Sequence, residues 1–473
     1  MLLFDLESDG FLEEMTVVHC IHMGDPESRE QWRYSDIKVY DQWTGTLEEG
    51  LTRLAEEDEI GGHNVFRFDI PAIKKIYPSW HPKGYVWDTL ALSCLAYPKD
   101  ELKDIDAKKQ AKGAYPAKFF EKGYFAGQQL GAWGYRLGEL KGEYEAGFDT
   151  FNAEMDEYCA QDVKVNIALW HKVWDRFAKD EVPRDSVVME NEVLRIIAGQ
   201  ERHGFCFDVE KAHALEADLM ARKAELDAEL RKSFKPWIAP VKYKGQPVVV
   251  EAKRRTKVRR WDADFNEYFI EVPKGETYEK LQLIMFNPAS RAHIVNRLTT
   301  LYGWKPKVFT ASGEPELSEE TLDGLEFPEA PLLKEYLMVD KRLGMLSSGK
   351  QAWLGHVKAD GRIHGRVNTN QAVTGRMTHS FPNVAQVPAS GAPYGKQCRE
   401  LFHAPDGYLL VGCDAEGLEL RCMGHFMGRY DGGAYGETVV NGDKAKGTDV
   451  HTVNQQAVGL NKRDSAKTFI SMG

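Results

Sequence analysis

Short apolar runs alternate with helical patterns over the first 185 residues of the chain. The runs at residues 2–6, 17–23 and 60–64 have the length and apolar content of buried β-strands. A helical pattern at residues 71–77 follows the third run. Strands that alternate with helices in this way predict an α/β domain.

Long helical patterning begins at residue 184. Residues 184–235 are helix-like, and Ala, Leu, Glu and Lys dominate residues 211–232 without any Gly or Pro. Prolines and a glycine then interrupt the pattern, and the composition becomes basic and β-branched until helical patterning returns at residues 290–298. We therefore predict an inserted tip at about residues 236–286 between two long helices.

Composition narrows the class of protein. A chain of 473 residues predicts two to four domains, and a hydrophobic fraction of 42% is that of a globular protein. The seven cysteines show no C-x-x-C and no Cys/His ligand spacing, which favours reduced thiols over disulfides or structural zinc. No apolar run approaches the roughly 18 residues that a membrane span needs. We expect a cytoplasmic protein without a membrane partner.

The net charge of −11 does not favour a nucleic-acid partner, but the distribution of charge does. A dense basic run lies between Ala252 and Trp261 and consists of Lys253, Arg254, Arg255, Lys257, Arg259 and Arg260. Such a run binds phosphates in some proteins and is a solvated charged loop in others. Both interpretations remain open.

Acidic residues near the N-terminus form a candidate metal site. Asp5 and Glu7 are two apart in a predicted strand and share one face, and Asp69 follows another predicted strand. Tyr158 and Asp162 are four apart in a helix-compatible stretch and share its face. If they converge, the four carboxylates can hold two metal ions for attack of water on a phosphodiester, with Tyr158 positioning the nucleophile. A surface acidic pair is the simpler interpretation of Asp5 and Glu7 alone.

A second constellation near the end of the chain resembles half of a nucleotidyl-transfer site. Residues 408–413 are predicted to be an apolar strand that places Asp414 at its end, where a divalent ion can meet a triphosphate. Arg463 and Lys467 are four apart on one predicted helix face and can neutralise phosphoryl charge. A second polymerase carboxylate is expected further along than Gly473.

The motifs together resemble family A, Pol I-like replicative DNA polymerases of short-tailed lytic phages, from residue 1 to about residue 470. The N-terminal acids and Tyr158 resemble the DEDDy proofreading exonuclease of that family. The stretch at residues 132–138, Ala-Trp-Gly-Tyr-Arg-Leu-Gly, also matches. Further matching segments are Thr374-Gly375-Arg376, Phe381-Pro382-Asn383, Gln386-Val387-Pro388 and Gly395-Lys396-Gln397-Cys398-Arg399.

The resemblance implies a fold class and a function. The fold would be an α/β RNase H-like exonuclease domain at residues 1–185, followed by an α+β right-hand polymerase. The latter would comprise a thumb at residues 186–355 and part of the palm and fingers at residues 356–473. The function would be replicative DNA-directed DNA synthesis with 3′–5′ proofreading in the cytoplasm of an infected bacterial host. A stand-alone 3′–5′ exonuclease with a DNA-holding C-terminal region, or a non-catalytic assembly subunit, are the alternatives.

The resemblance also implies roles for particular residues. Asp5, Glu7, Asp69 and Asp162 would hold two Mg²⁺ ions, for which Mn²⁺ can substitute, and Asp414 with the Ala415 carbonyl would hold the polymerase ions. Contacts with the dNTP would come from Glu419, His451, Arg463 and Lys467, with Glu419 excluding ribonucleotides. Contacts with the DNA primer-template would come from Lys341, Arg342, Arg376, Asn383 and Gln386.

Simpler interpretations remain for several of these residues. Glu419 can be a charge that complements a helix N-terminus, and His451 can be an ordinary histidine. Lys341 and Arg342 can lie on a solvated helix face.

Two departures from the family pattern affect the expected partners. The segment at about residues 236–286 is shorter than the thumb insertion that recruits host thioredoxin in phage enzymes, which puts that partner in doubt. The family likeness stops within the fingers helix near residue 470. We therefore expect that polymerisation needs a separately encoded C-terminal fragment carrying the second palm aspartate.

Overall fold

The computed structural model describes residues 1–37, 39, 43–140, 144, 146–310, 313–372, 374–461, 463 and 465–466. The chain divides into two compact units, of which the first is Met1–His403 and the second begins at Ala404. The predicted exonuclease and thumb domains and the start of the predicted palm thus lie in one compact unit. The division falls at residue 403, within the third predicted domain.

A five-stranded mixed sheet forms the centre of the N-terminal region. Its strands are β1 Leu2–Ser8, β2 Val18–Gly24, β3 Gln31–Tyr34, β4 Glu59–Gly62 and β5 Tyr85–Asp88. They lie in the order β3-β2-β1-β4-β5. The strand β1 is antiparallel to β2 and parallel to β4, which is parallel to β5. The sheet contains all three predicted strands.

Helices cover this sheet and complete the α/β region. They are α1 Leu47–Glu56, α2 Asp69–Ile76, α3 Thr89–Ala96, α4 Lys99–Ala111, α5 Ala117–Glu121, α6 Leu130–Leu137 and α7 Ala153–Lys179. Helix α7 packs against β1 and β2. Its apolar side chains, including Val165, Leu169 and Val173, are buried with Trp87 of β5. The predicted α/β class of residues 1–185 is confirmed.

The predicted long helical segment is two helices with a strand between them. The elements are α8 Arg184–His203, β6 Phe205–Phe207 and α9 Val209–Ser233. Gly204 ends α8 with a φ of 63°, and a Cβ there would lie 2.9 Å from the Ile363 carbonyl oxygen. The prediction of one helical pattern across residues 184–235 was wrong at this point, because a glycine in close contact with another segment redirects the chain.

The predicted tip is a β-rich insertion. Its strands are β7 Trp237–Pro240, β8 Lys242–Tyr243, β9 Gln246–Pro247, β10 Val249–Glu251, β11 Thr256–Trp261, β12 Glu267–Val272, β13 Thr277–Glu279 and β14 Leu281–Ile284. Strand β7 pairs with β14, so the two ends of the insertion lie side by side. At its base the rings of Phe234 and Phe286 are 4.6 Å apart.

The rest of the first unit returns to helices and short strands. The helices are α10 Arg291–Tyr302, α11 Glu319–Asp323, α12 Ala330–Leu343 and α13 Gly395–Glu400, with a π-helical turn Gly344–Ser348 and 3-10 turns Leu354–His356 and Val384–Gln386. The strands are β15 Arg362–Ile363, β16 Arg366–Asn368, β17 Thr378–Ser380 and β18 Phe402–His403. Helices α9 and α12 pack together around Leu226, Leu230 and Val339.

The second unit contains helices α14 Leu418–Asp431, α15 Ala434–Asn441 and α16 Val450–Val458, with a 3-10 turn Lys444–Lys446. The predicted strand at residues 408–413 was wrong: this segment forms no strand and Leu409 is 89% exposed. A β-strand needs a partner for its backbone groups, and no strand is present among the described residues of this unit.

Where the structure is described, no helix is both long and apolar enough to cross a bilayer.

Candidate active site

The alternation of side chains along β1 positions the first two acids. Asp5 and Glu7 are two residues apart on β1 and therefore share a face of the sheet. The antiparallel register places His22 opposite Asp5 and Cys20 opposite Glu7. The predicted pairing of Asp5 and Glu7 on one face is confirmed, and Glu7 is buried.

Helix α7 carries the tyrosine and another of the acids. Asn152 caps the helix by accepting a hydrogen bond from the Met155 N–H at 2.9 Å. Tyr158 and Asp162 follow one turn apart, as the sequence predicts, and Asp162 is buried. Between them, the Cys159 thiol donates to Asp5 Oδ2 at 3.7 Å. This contact fixes the helix against the carboxylates of β1.

Asp69 is the first residue of α2 and is buried beside the same acids. Burial raises the pKa of Asp69 well above its ordinary value, and the negative charge of Asp5 raises it further. The loop that leads to Asp69 is held by Asp88, which accepts hydrogen bonds from the N–H groups of Asn64 at 2.8 Å and Phe66 at 3.2 Å. Buried carboxylates that repel each other are an arrangement that a bound cation stabilises.

A cavity of about 540 Å³ opens beside these carboxylates. Asp5 and Asp162 line it together with His63 and Arg67. Residues 366–371 contribute part of its wall, and Arg67 donates to the Val367 carbonyl at 2.8 Å. The cavity therefore places acidic ligands and a cationic side chain around one space.

The idiosyncratic stretch at residues 132–138 has a structural explanation. Arg136 on α6 donates to Asp106 on α4 from Nε at 3.0 Å and from Nη2 at 2.8 Å. The two side chains are 3% and 0% exposed. Asp106 also accepts from the Tyr115 hydroxyl at 2.9 Å and from the Ala126 N–H at 2.8 Å. The motif thus joins two helices and the loop that lines the cavity.

The predicted DNA-contact residues of the first unit differ in exposure. Arg376, Gln386 and Lys341 are exposed, and Asn383 accepts a hydrogen bond from the Ala385 N–H at 3.1 Å. Arg342 is only 8% exposed and donates to the Pro393 carbonyl at 3.2 Å. Lys341 therefore lies on a solvated helix face, as the simpler interpretation predicts, but Arg342 does not. The burial of Arg342 disfavours a contact with a DNA phosphate in this conformation.

The second unit holds the predicted polymerase residues near two helix N-termini. Asp414 and Ala415 are exposed in the segment before α14. Glu419 is in the first turn of α14. This position fits the simpler interpretation of Glu419 as a charge that complements the helix N-terminus. His451 is in the first turn of α16.

Arg463 is already engaged within the second unit. Its Nη2 donates to Asp449 Oδ1 at 2.6 Å, and this bond contributes to a pKa of Asp449 well below the ordinary value. Asp449 is the N-cap of α16, so the pair ties Arg463 to the helix of His451. Lys467 lies outside the described residues.

The basic run is divided between paired and unpaired cations. Arg255, just before β11, forms an ion pair with Glu271 of β12. Arg259, within β11, forms an ion pair with Glu267 of β12. The Arg260 guanidinium donates to two backbone carbonyls. Among the described residues, Lys253, Arg254 and Lys257 are exposed and form no ion pair, so they are the members available to a phosphate chain.

Sequence reasoning missed a cluster of sulfur and nitrogen atoms beside the acids. Cys20, His22 and Cys159 lie together, although the cysteines have no recognisable ligand spacing. Burial lowers the pKa of His22, but hydrogen bonds with Asp156 and Cys20 outweigh it and raise the value to about 9. Burial raises the pKa of Cys20, but hydrogen bonds with Cys159 and His22 outweigh it and lower the value to about 7.

Comparison with known proteins identifies the family. Residues 257–470 match the family model described as DNA polymerase family A. The DNA-directed DNA polymerase of Enterobacteria phage T3 is 35% identical over 553 residues, covering 99% of this chain and 75% of that protein. The corresponding enzyme of Escherichia phage T7 is 35% identical over 555 residues with the same coverage. The chain belongs to DNA polymerase family A and is a DNA polymerase of the phage type.

A solved structure agrees with the fold. The POL domain of Pol1 from M. smegmatis, in complex with DNA primer-template and dNTP, matches with a TM-score of 0.60 and 15% identity. The match covers 99% of this chain and 67% of that chain. At this identity the likeness shows the fold alone, and the predicted polymerase fold is confirmed to that extent. The family assignment favours a polymerase over the predicted alternatives of a stand-alone nuclease and a non-catalytic subunit.

Proposed function

We propose that this polymerase carries a 3′–5′ proofreading exonuclease at residues 1–185. The observation that carries the proposal is that Asp5 and Asp162 line one cavity. Glu7 shares the β1 face of Asp5, and Asp69 is buried close enough to Asp5 for the charge of Asp5 to raise its pKa. The sheet order β3-β2-β1-β4-β5, with an antiparallel half and a parallel half, supports an RNase H-like domain. All four acids offer hard oxygen ligands, which fit Mg²⁺ or Mn²⁺.

The geometry supports a two-metal hydrolysis. Asp5, Glu7, Asp69 and Asp162 would hold the cations. Tyr158 orients the attacking water through its hydroxyl, from the helix face that also carries Asp162. Two bound Mg²⁺ ions supply Lewis acidity and stabilise the attacking and leaving oxygens. Arg67 on the cavity wall donates to Glu201 Oε2 from Nε at 2.7 Å, so it would have to exchange this ion pair to contact the DNA backbone.

The same proposal assigns nucleotidyl transfer to residues 414–467, which follow the first unit along the chain. Asp414 and the Ala415 carbonyl hold Mg²⁺, Glu419 lies against the dNTP sugar, and His451, Arg463 and Lys467 bind the triphosphate. Arg463 would exchange its bond to Asp449 for the triphosphate.

The proposed partners are a DNA primer-template and dNTPs, as in the complex of the M. smegmatis enzyme. Arg376, Asn383 and Gln386 would contact the minor groove of the primer-template. The hydrogen-bond acceptors of the bases there occupy similar positions in every base pair, so these side chains would test base-pair geometry without reading the sequence. Lys341 supplies a phosphate contact. Host thioredoxin is not included in the proposal.

Digestion of single-stranded DNA labelled at its 5′ end tests the exonuclease assignment. The chain should shorten this substrate stepwise from the 3′ end with Mg²⁺ or Mn²⁺, and Asp5→Ala together with Glu7→Ala should abolish digestion. Glu27→Ala together with Glu30→Ala removes two exposed carboxylates from the β2–β3 loop and should leave the rate unchanged. Undiminished digestion by the first double variant would contradict the proposal.

A further inference from the structure

Two cysteines and a histidine meet between β2 and α7. Cys20 and His22 are two residues apart on β2 and therefore share one face of the sheet. Cys159 comes from α7. One ligand atom from each residue lies within 4.8 Å of the other two. All three side chains are buried.

The spacing and chemistry of these atoms fit a soft divalent cation. Tetrahedral zinc has Zn–S distances near 2.3 Å and Zn–N distances near 2.0–2.1 Å, which place its ligand atoms about 3.5–3.8 Å apart. Ligand atoms that already lie within 4.8 Å need to move by only about an ångström. Thiolate and imidazole ligands select Zn²⁺ over Mg²⁺, which prefers the neighbouring carboxylates.

Asp156 and Arg33 form a second coordination shell for such a site. His22 Nε2 is 2.7 Å from Asp156 Oδ1, and Asp156 is fully buried. Arg33 Nη1 donates to Asp156 Oδ2 at 2.6 Å and holds this carboxylate in place. A metal-binding histidine usually donates its second ring N–H to a carboxylate, which orients the ring. Nε2 is thus used for Asp156, and Nδ1 is the nitrogen for a metal.

We propose that Cys20, His22 and Cys159 form a binding site for Zn²⁺ that is separate from the Mg²⁺ site of the exonuclease. The three protein ligands leave the fourth tetrahedral position for water, and Asp5 remains a ligand of the Mg²⁺ site. Because the ligands come from β2 and α7, the ion cross-links the strand to the helix that carries Tyr158 and Asp162. Binding releases the thiol protons and the second imidazole proton.

Cobalt spectroscopy on the full chain tests this site without measuring activity. The chain is reduced, treated with a chelator and titrated with Co²⁺ alone. A thiolate-to-cobalt charge-transfer band and the visible absorption of a tetrahedral ion should saturate at one ion per chain. Cobalt held only by carboxylates gives no sulfur band, so a saturated protein without that band overturns the proposal.

Variants assign the band to particular ligands. Cys20→Ser and Cys159→Ser should each lose the wild-type band, whereas Cys398→Ser, which removes a buried thiol elsewhere, should keep it. Asp156→Asn should weaken Co²⁺ affinity by about 10–100-fold with a similar band, because it removes the partner that orients His22. A band that survives unchanged in Cys159→Ser overturns the proposal.

X-ray absorption at the zinc edge does not depend on how the variants fold. The wild-type chain loaded with one Zn²⁺ should show two sulfur neighbours at about 2.3 Å and imidazole scattering at about 2.0 Å. A shell of oxygen and nitrogen alone would place the ion among the exonuclease carboxylates and would reject the Cys/His site.

Discussion

At the scale of single residues, the proposed roles of Tyr158 and Asp162 depend on contacts between α7 and residues that are distant in sequence. Cys159 lies between them on α7 and contacts Asp5, from which it is 154 residues distant in sequence. Asp69 is buried at the start of α2, where the charge of Asp5 adds to the effect of burial on its pKa. The pattern of residues predicted that Asp5 shares a face with Glu7 and Tyr158 a face with Asp162, because alternation along β1 and the helical repeat of α7 fix each pair. The contact between the two elements depends on tertiary packing.

The Tyr158 hydroxyl can be tested separately from the metal ligands. We expect Tyr158→Phe to lower kcat for single-stranded DNA digestion by on the order of 100-fold while KM changes by less than about twofold, since only the orienting group is lost. Tyr135→Phe on α6 removes a hydroxyl away from the proposed chemistry and should leave kcat unchanged. An equal rise in KM for Tyr158→Phe would instead indicate a role in substrate binding.

At the scale of secondary-structure elements, the ion pair between α4 and α6 stabilises the wall of the cavity. We expect Arg136→Met to destabilise the N-terminal region by about 3–5 kcal/mol, because Asp106 remains buried without its partner. Arg176→Met is the matched control: Arg176 and Glu101 are 28% and 35% exposed, and their loss should cost about 0–1 kcal/mol. Midpoints of urea unfolding measure both, and equal midpoints would show that the buried pair is dispensable.

The elements also show where sequence patterns were sufficient and where they failed. The N-terminal strands were predicted because their apolar side chains require burial within the sheet. The insertion was predicted because prolines and a glycine interrupt the helical pattern and the composition changes there. The pattern across residues 184–235 did not reveal the break at Gly204, which depends on a contact with Ile363. The apolar run at residues 408–413 was wrongly predicted to be a strand, because a strand also needs a neighbouring strand for its backbone hydrogen bonds and apolar content does not indicate whether one is present. The cluster was missed because Cys159 comes from α7 whereas Cys20 and His22 are on β2, and the spacing of the cysteines in the sequence does not reveal that contact.

At the scale of the whole molecule, charge is distributed unevenly in a way that bears on DNA binding. The chain carries a net charge of −11, yet the insertion presents Lys253, Arg254 and Lys257 to solvent. Arg255 and Arg259 are offset by Glu271 and Glu267 across the hairpin of β11 and β12. The number of cations that the basic run at residues 253–260 can offer to phosphates is therefore about half of what its sequence indicates.

The salt dependence of primer-template binding measures that number. Each phosphate contact contributes roughly 0.9 to the slope of log K against log salt, so changing Lys253, Arg254 and Lys257 together to Gln should reduce the slope by about 3. The control changes Lys108, Lys112 and Lys179, three exposed lysines of the α/β region, to Gln. It alters net charge equally and should leave the slope within about 1 of wild type, since net charge acts only at long range. Fluorescence anisotropy at several salt concentrations gives both slopes. If the two triple variants have the same slope, the basic run is a solvated loop and the insertion does not bind the DNA backbone.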